Sequence, residues 1–148
     1  MKKFQFSLET LLKVCRKREN TAQETLLVAQ LALQSKRKDL FYLELQKKKV
    51  NKEIQQSQKM FYSIDQKITH LNYLKALEKR ILDQQGKVAR AARETEDKRH
   101  LVVLAMQKRK TIENLEEKCY NEWKYETNEK EKAFFDDIAT IRFTRNEK

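Results

Sequence analysis

Proline is absent from the 148-residue chain, glycine occurs once, and there are two cysteines and two histidines. Average usage would give roughly seven prolines and ten glycines. Tight turns, β-hairpins and Gly-rich phosphate loops depend on those residues. Their scarcity excludes β-sandwiches, βαβ folds, P-loops and dinucleotide-binding fingerprints. No apolar run approaches the ~20 residues that a membrane-spanning helix needs. Residues 1–12 begin with a Lys2–Lys3 pair, but Gln5, Ser7, Glu9 and Thr10 interrupt any apolar core, and no cleavage site follows. That pattern is not read as a signal peptide. Cys15 and Cys119 are 104 residues apart, outside any Cys-x-x-Cys. They fit reduced thiols in a cytosolic protein better than a disulfide framework.

What is abundant is charge. Lys and Arg number 33 and Asp and Glu 22, a net charge of +11, and charged residues make up 37% of the chain. About 25% is ordinary for a globular domain. The 39% hydrophobic content is too high for simple disorder, and the apolar residues are periodic.

That period is seven. A 4-3 ladder runs Leu8, Leu12, Cys15, Glu19, Ala22, Leu26, Ala29, Leu33, Lys36, Leu40, Leu43, Lys47, Val50, Ile54, Ser57, Phe61, Ile64, Ile68, Leu71, and 15 of these 19 positions are apolar. A sustained 3.5-residue spacing is a coiled-coil seam. The four polar positions weaken it. After Leu71 the ladder slips by three residues and resumes through Leu74, Leu77, Ile81, Gln84, Val88, Ala91, Thr95, Lys98, Val102, Ala105, Arg109, Ile112, Glu116, Cys119 and Trp123. Such a slip is either local overwinding or a sign that the chain reverses nearby.

Gly86 is one candidate for the reversal, but good helix formers surround it, and a lone helical Gly costs only about 1 kcal/mol relative to Ala. Ser63-Ile-Asp-Gln66 is the stronger signal. Its Ser and Gln form a capping box, Asp65 suits a first turn, and Met60-Phe61-Tyr62 can supply a hydrophobic staple. The expectation is an all-α fold: a single antiparallel coiled-coil hairpin over 1–148, with one helix at 7–59, a tip at 59–63 and a second helix at 64–143. Facing residue numbers then sum to about 123. The longer second helix outruns the first beyond about residue 117, leaving a C-terminal overhang without an intramolecular partner. The alternative is one uninterrupted helix that dimerises.

Charge is sorted along the chain. Residues 36–59 hold eight basic and three acidic residues, 67–110 hold twelve and five, and 111–137 hold four and nine. Lys36-Arg37-Lys38, Lys47-Lys48-Lys49 and Arg90 with Arg93 suit polyanions at low salt. No reading module or interleaved aromatic accompanies them, so no specific nucleic-acid recognition is expected. His70 and His100 lack ligands at metal spacing, and no residue set makes a catalytic constellation. Neither a metal nor another cofactor nor an enzymatic activity is expected. The overhang is apolar on one side: Phe134, Ile138 and Ile141 stand at i, i+4, i+7. An exposed stripe of that kind marks a partner, unless the C-terminus folds back or frays.

Several runs look familiar in order. Phe4-x-Phe6-x-Leu8-x-Thr10-Leu11-Leu12 opens the chain, with Glu19 and Ala22 after it. Tyr73-Leu74-x-x-Leu77-x-x-x-Ile81-x-x-Gln84 follows, then Val88, Arg93 and Gln107-Lys108-Arg109-Lys110-x-Ile112-Glu113-x-Leu115. This ordered set resembles the flagellar export protein FliJ family across nearly the whole chain. The injectisome stalk proteins are similar. The chain departs from the family in lacking the Gly or other breakers often seen at the tip.

The resemblance implies a soluble component of the flagellar type III protein export apparatus, cytoplasmic and peripherally associated with the inner-membrane machinery without membrane insertion. It implies a stalk-like coiled coil that binds a hexameric export ATPase, promotes its assembly, contacts the cytoplasmic domain of the export gate and handles export chaperones. Gate contacts would fall at Leu43, Val50, Tyr73 and Leu77, and ATPase contacts at Leu8, Leu12, Trp123, Phe134, Ile138 and Ile141. The alternative from another class is a homodimeric coiled-coil spacer or a basic rod that binds polyanions.

Overall fold

The structure, a computed structural model, describes residues 3–58 and 63–146. Two helices account for almost all of them: α1, Glu9–Ser57, and α2, Ile64–Asn146. Among the described residues there is no strand. The expected tip at 59–63 lies, apart from Ser63, outside the described residues, as does the Met60-Phe61-Tyr62 staple.

Both helices are ordered at their ends by local groups. Before α1 the chain turns once, with the Glu9 amide donating to the Phe6 carbonyl at 3.3 Å. Glu9 sits in the first turn of α1 and Asp65 in that of α2, where carboxylates complement the helix dipole. Arg145 lies in the last turn of α2, where a cation is favoured. Ser63 stands immediately before α2, and its carbonyl accepts the Lys67 amide at 3.1 Å, the first bond of that helix. Without proline, nothing in between removes a backbone donor.

Two compact units divide the chain, residues 1–20 with 104–148, and residues 21–103. Each contains a stretch of both helices. In unit 21–103, Gln84 reaches Lys36, Thr95 reaches Ala29 and Glu78 pairs with Lys47. One number falls as the other rises, so the helices run antiparallel. The same holds in the other unit, where Arg109 meets Glu19 and Glu113 meets Arg16. The extremes are Lys36 with Gln84, which sum to 120, and Arg16 with Glu113, which sum to 129. The molecule is an all-α helical hairpin.

The core is the seam of the two ladders. Leu12, Cys15, Leu33, Val50, Leu77, Ile81, Ala91 and Val102 are buried, and so are the polar ladder residues Glu19, Gln84 and Thr95. The remaining ladder positions from Leu8 to Ser57 and from Leu74 to Trp123 are half-buried. The first ladder does not continue past the reversal: Ile64, Ile68 and Leu71 are exposed. The three-residue slip after Leu71 therefore marks the change of direction rather than overwinding, because α2 begins a register of its own.

Several polar ladder residues bond across the seam. Glu19 accepts from the Arg109 guanidinium, which also donates to Glu113 at 2.6 Å. The Gln84 amide donates to the Lys36 carbonyl at 3.0 Å. Thr95 donates its hydroxyl to the Ala91 carbonyl at 2.8 Å and lies 3.3 Å from that of Ala29. Among the described residues every fully buried side-chain nitrogen or oxygen has a partner.

Candidate partner-binding surfaces

The N-terminal residues add a layer that the heptad pattern does not contain. Phe6 is buried although it is off the ladder. The Phe4 ring packs edge-on to Tyr120, centroids 5.3 Å apart, and lies 5.8 Å from Trp123. Cover on this stretch of α2 thus extends from the expected limit near 117 as far as Trp123. The alternation Phe4-x-Phe6, period two ahead of a period-seven ladder, was the available signal for this non-helical clasp.

Of the six candidate ATPase contacts, all in the unit built from residues 1–20 and 104–148, three lie on the seam. Leu12 is 2% exposed, and Leu8 and Trp123 are half-buried. Ile138 is half-buried too, whereas Phe134 and Ile141 are each 63% exposed. Around them Tyr125, Phe135 and Phe143 are exposed, and the Phe134 and Phe135 rings meet edge-on at 6.1 Å. Sequence reasoning on i, i+4, i+7 spacing did not include Phe135 or Phe143. Here α2 is supported by local pairs, Lys132 with Glu129 at 2.8 Å and Lys130 with Glu126 at 4.0 Å. The hydrogen bond that Lys132 donates to Glu129, with the charges of Glu129 and Asp136, holds the Lys132 ammonium above the usual lysine range. The hydroxyls of Thr127, Thr140 and Thr144 donate back to carbonyls of the same helix.

The same unit holds a charge network on the seam. Arg109 bridges Glu19 and Glu113, and Glu113 is 3.4 Å from Arg16. Above all the hydrogen bond to Glu19, aided by the charge of Glu113, pushes the Arg109 pKa above its ordinary value.

The four candidate gate contacts lie in unit 21–103. Lys47 pairs with Glu78 at 3.3 Å, which brings the stretch from Leu43 to Val50 level with that from Tyr73 to Leu77. Leu77 is 1% exposed and Val50 is buried, and Leu43 is half-buried on the same seam. Tyr73 stands off the seam and is 47% exposed. Of the four, only Tyr73 presents a large accessible side chain.

No described helix is long and apolar enough to cross a membrane. No described group of three or more His, Cys, Asp or Glu could hold a metal ion. The family model for the flagellar FliJ protein matches residues 4–148. No curated protein and no solved structure matches the chain.

Proposed function

The chain belongs to the flagellar FliJ protein family, components of flagellar type III export, and from that premise we propose that it works as a stalk for the export ATPase. The unit that carries both chain ends engages a hexameric ATPase ring through the exposed C-terminal face of α2. Unit 21–103 contacts the cytoplasmic domain of the export gate around Tyr73, and the chain handles export chaperones. It acts at the cytoplasmic side of the inner membrane, held there by its partners. An asymmetric two-helix shaft touches the subunits of a symmetric ring unequally, and such differential contact biases their states. The protein is not itself an enzyme.

The observation that carries this reading is the run of exposed Phe134, Phe135, Ile141 and Phe143 on a helix held by its own ion pairs. Burying each such side chain in a ring lumen contributes about 1.5–3 kcal/mol. Filling of the seam by one chain's own two helices favours this over a homodimeric spacer. Truncation after Glu126 is the test, with ATPase stimulation and circular dichroism measured together. The expected outcome is loss of stimulation with helicity reduced only in proportion to the residues removed. Stimulation at the wild-type level would remove the C-terminal contact. Collapse of helicity throughout would make the segment structural.

A further inference from the structure

Apart from the seam and both surfaces above, α1 carries a second apolar stripe within unit 21–103. Leu27, Val28 and Leu31 are 56%, 66% and 57% exposed, and Phe41, Tyr42 and Leu45 are exposed as well. The second triplet repeats the first 14 residues later. Two heptads separate them, so both triplets lie on one face of the helix. Leu31 stands two residues from seam positions 29 and 33, and Leu45 two from 43 and 47. An offset of two residues is about 200° around a helix, which puts the stripe opposite the seam. The Phe41 and Tyr42 rings touch edge-on at 6.4 Å.

Lysines continue this face at heptad spacing. Lys38 is midway between Leu31 and Leu45; Lys48, Lys49 and Lys52 follow Phe41, Tyr42 and Leu45 by seven, and all four are exposed. The nearby acidic residues Asp39, Glu44 and Glu53 flank the seam instead. On the stripe the one carboxylate is Glu24, seven before Leu31.

We infer that this outer face of α1 docks an acidic amphipathic helix of a partner protein. The partner's apolar residues seat on the two triplets, and its carboxylates meet Lys38, Lys48, Lys49 and Lys52. Charge complementarity selects an acidic occupant, and the coiled-coil repeat selects a helix. A bilayer surface fits less well. A helix lying in a membrane interface needs a continuous apolar face, and here Gln34, Ser35 and Lys38, all exposed, separate the triplets.

The probe is a fluorescein-labelled three-heptad peptide of Leu and Glu, against a scrambled peptide of the same composition and charge. Anisotropy is measured with the full chain, with Leu31→Gln/Leu45→Gln and with Lys48→Glu/Lys52→Glu. The substituted side chains are exposed, so circular dichroism should not change. The patterned peptide is expected to bind more tightly than the scrambled one, and each double variant to weaken it about tenfold or more. Equal binding of the two peptides, no binding, or unchanged affinity in the Leu variant overturns the inference. So does retention on phosphatidylglycerol vesicles that depends on Leu31 and Leu45, which would make the face a membrane contact. A wild-type dimer that becomes a monomer in the Leu variant would assign the face to a second copy instead, and overturns it equally.

Discussion

Arg109 and Glu19 occupy apolar positions of their respective ladders, and each is tolerable only because of the other. Glu19 is buried and accepts from Arg109, which Glu113 also holds. A charged group shielded from water without a partner is costly, whereas an exposed intrahelical pair contributes little. Arg109→Ala should therefore lower the thermal midpoint clearly more than Arg99→Ala, which removes only the exposed pair with Glu96. Replacing both partners, Glu19→Leu with Arg109→Leu, should recover most of the loss. Equal midpoints for the two single variants would mean that the network is incidental. Tyr73 and Leu77 separate contact from support. Leu77 is the largest fully buried side chain, so Leu77→Ala should cost about 2–5 kcal/mol of stability. Tyr73→Ala should leave the urea midpoint near wild type and weaken binding to the gate domain in a pull-down; unchanged binding removes Tyr73 from that surface. Among the candidate contacts, helical spacing pointed to Phe134 and Ile141, whereas Tyr73 entered only through the family resemblance; all three side chains are exposed. Phe4, Phe6, Phe135 and Phe143 follow no period that a heptad reading detects, because their positions depend on a non-helical clasp or on exposure alone.

At the level of the helices, the period of the apolar residues carried most of the information. Leu12, Cys15, Leu33 and Val50 in α1, and Leu77, Ile81, Ala91 and Val102 in α2, are ladder positions that are buried. A seven-residue repeat can bury one stripe only if a second helix faces it, so fold class followed from spacing. The sequence read less well where a ladder crosses the reversal. Ile64, Ile68 and Leu71 keep the first period, yet they are exposed, because a repeat says nothing about which helix it belongs to. Gly86 gives a direct test of the second helix. The structure carries α2 straight through it, its φ is not positive, and a Cβ built there meets nothing within 4 Å. Gly86→Ala should therefore stabilise the chain by about 0.5–1 kcal/mol in urea unfolding, chiefly by restricting the unfolded backbone. Destabilisation would mean that the backbone at Gly86 bends in solution in a way that Ala resists.

For the molecule as a whole, the deciding quantity is the number of chains that fill one seam. Both ladders are occupied from within a single chain, through Gln84 with Lys36 and Thr95 with Ala29 in one unit and Arg109 with Glu19 in the other. A homodimeric spacer would have to break those contacts to expose the same apolar stripe to a second copy. Net charge works in the same direction, since +11 on each chain opposes self-association at low salt. The thiols offer no covalent route within the chain. Cys15 and Cys119 are both free, one buried and one half-buried. In their unit the facing pairs Arg109 with Glu19 and Arg16 with Glu113 sum to 128 and 129, so Cys15 faces about residue 113 and Cys119 stands ~9 Å further along the helix, beyond the ~7 Å Cα separation that a disulfide tolerates. Sedimentation equilibrium at micromolar concentration should thus give the monomer mass of 17.9 kDa. A non-reducing gel should show no intramolecular bridge, and thiol titration of the native protein should label Cys119 before Cys15. A stable dimer would move the reading to a spacer, and an internal disulfide would require a different pairing of the two helices.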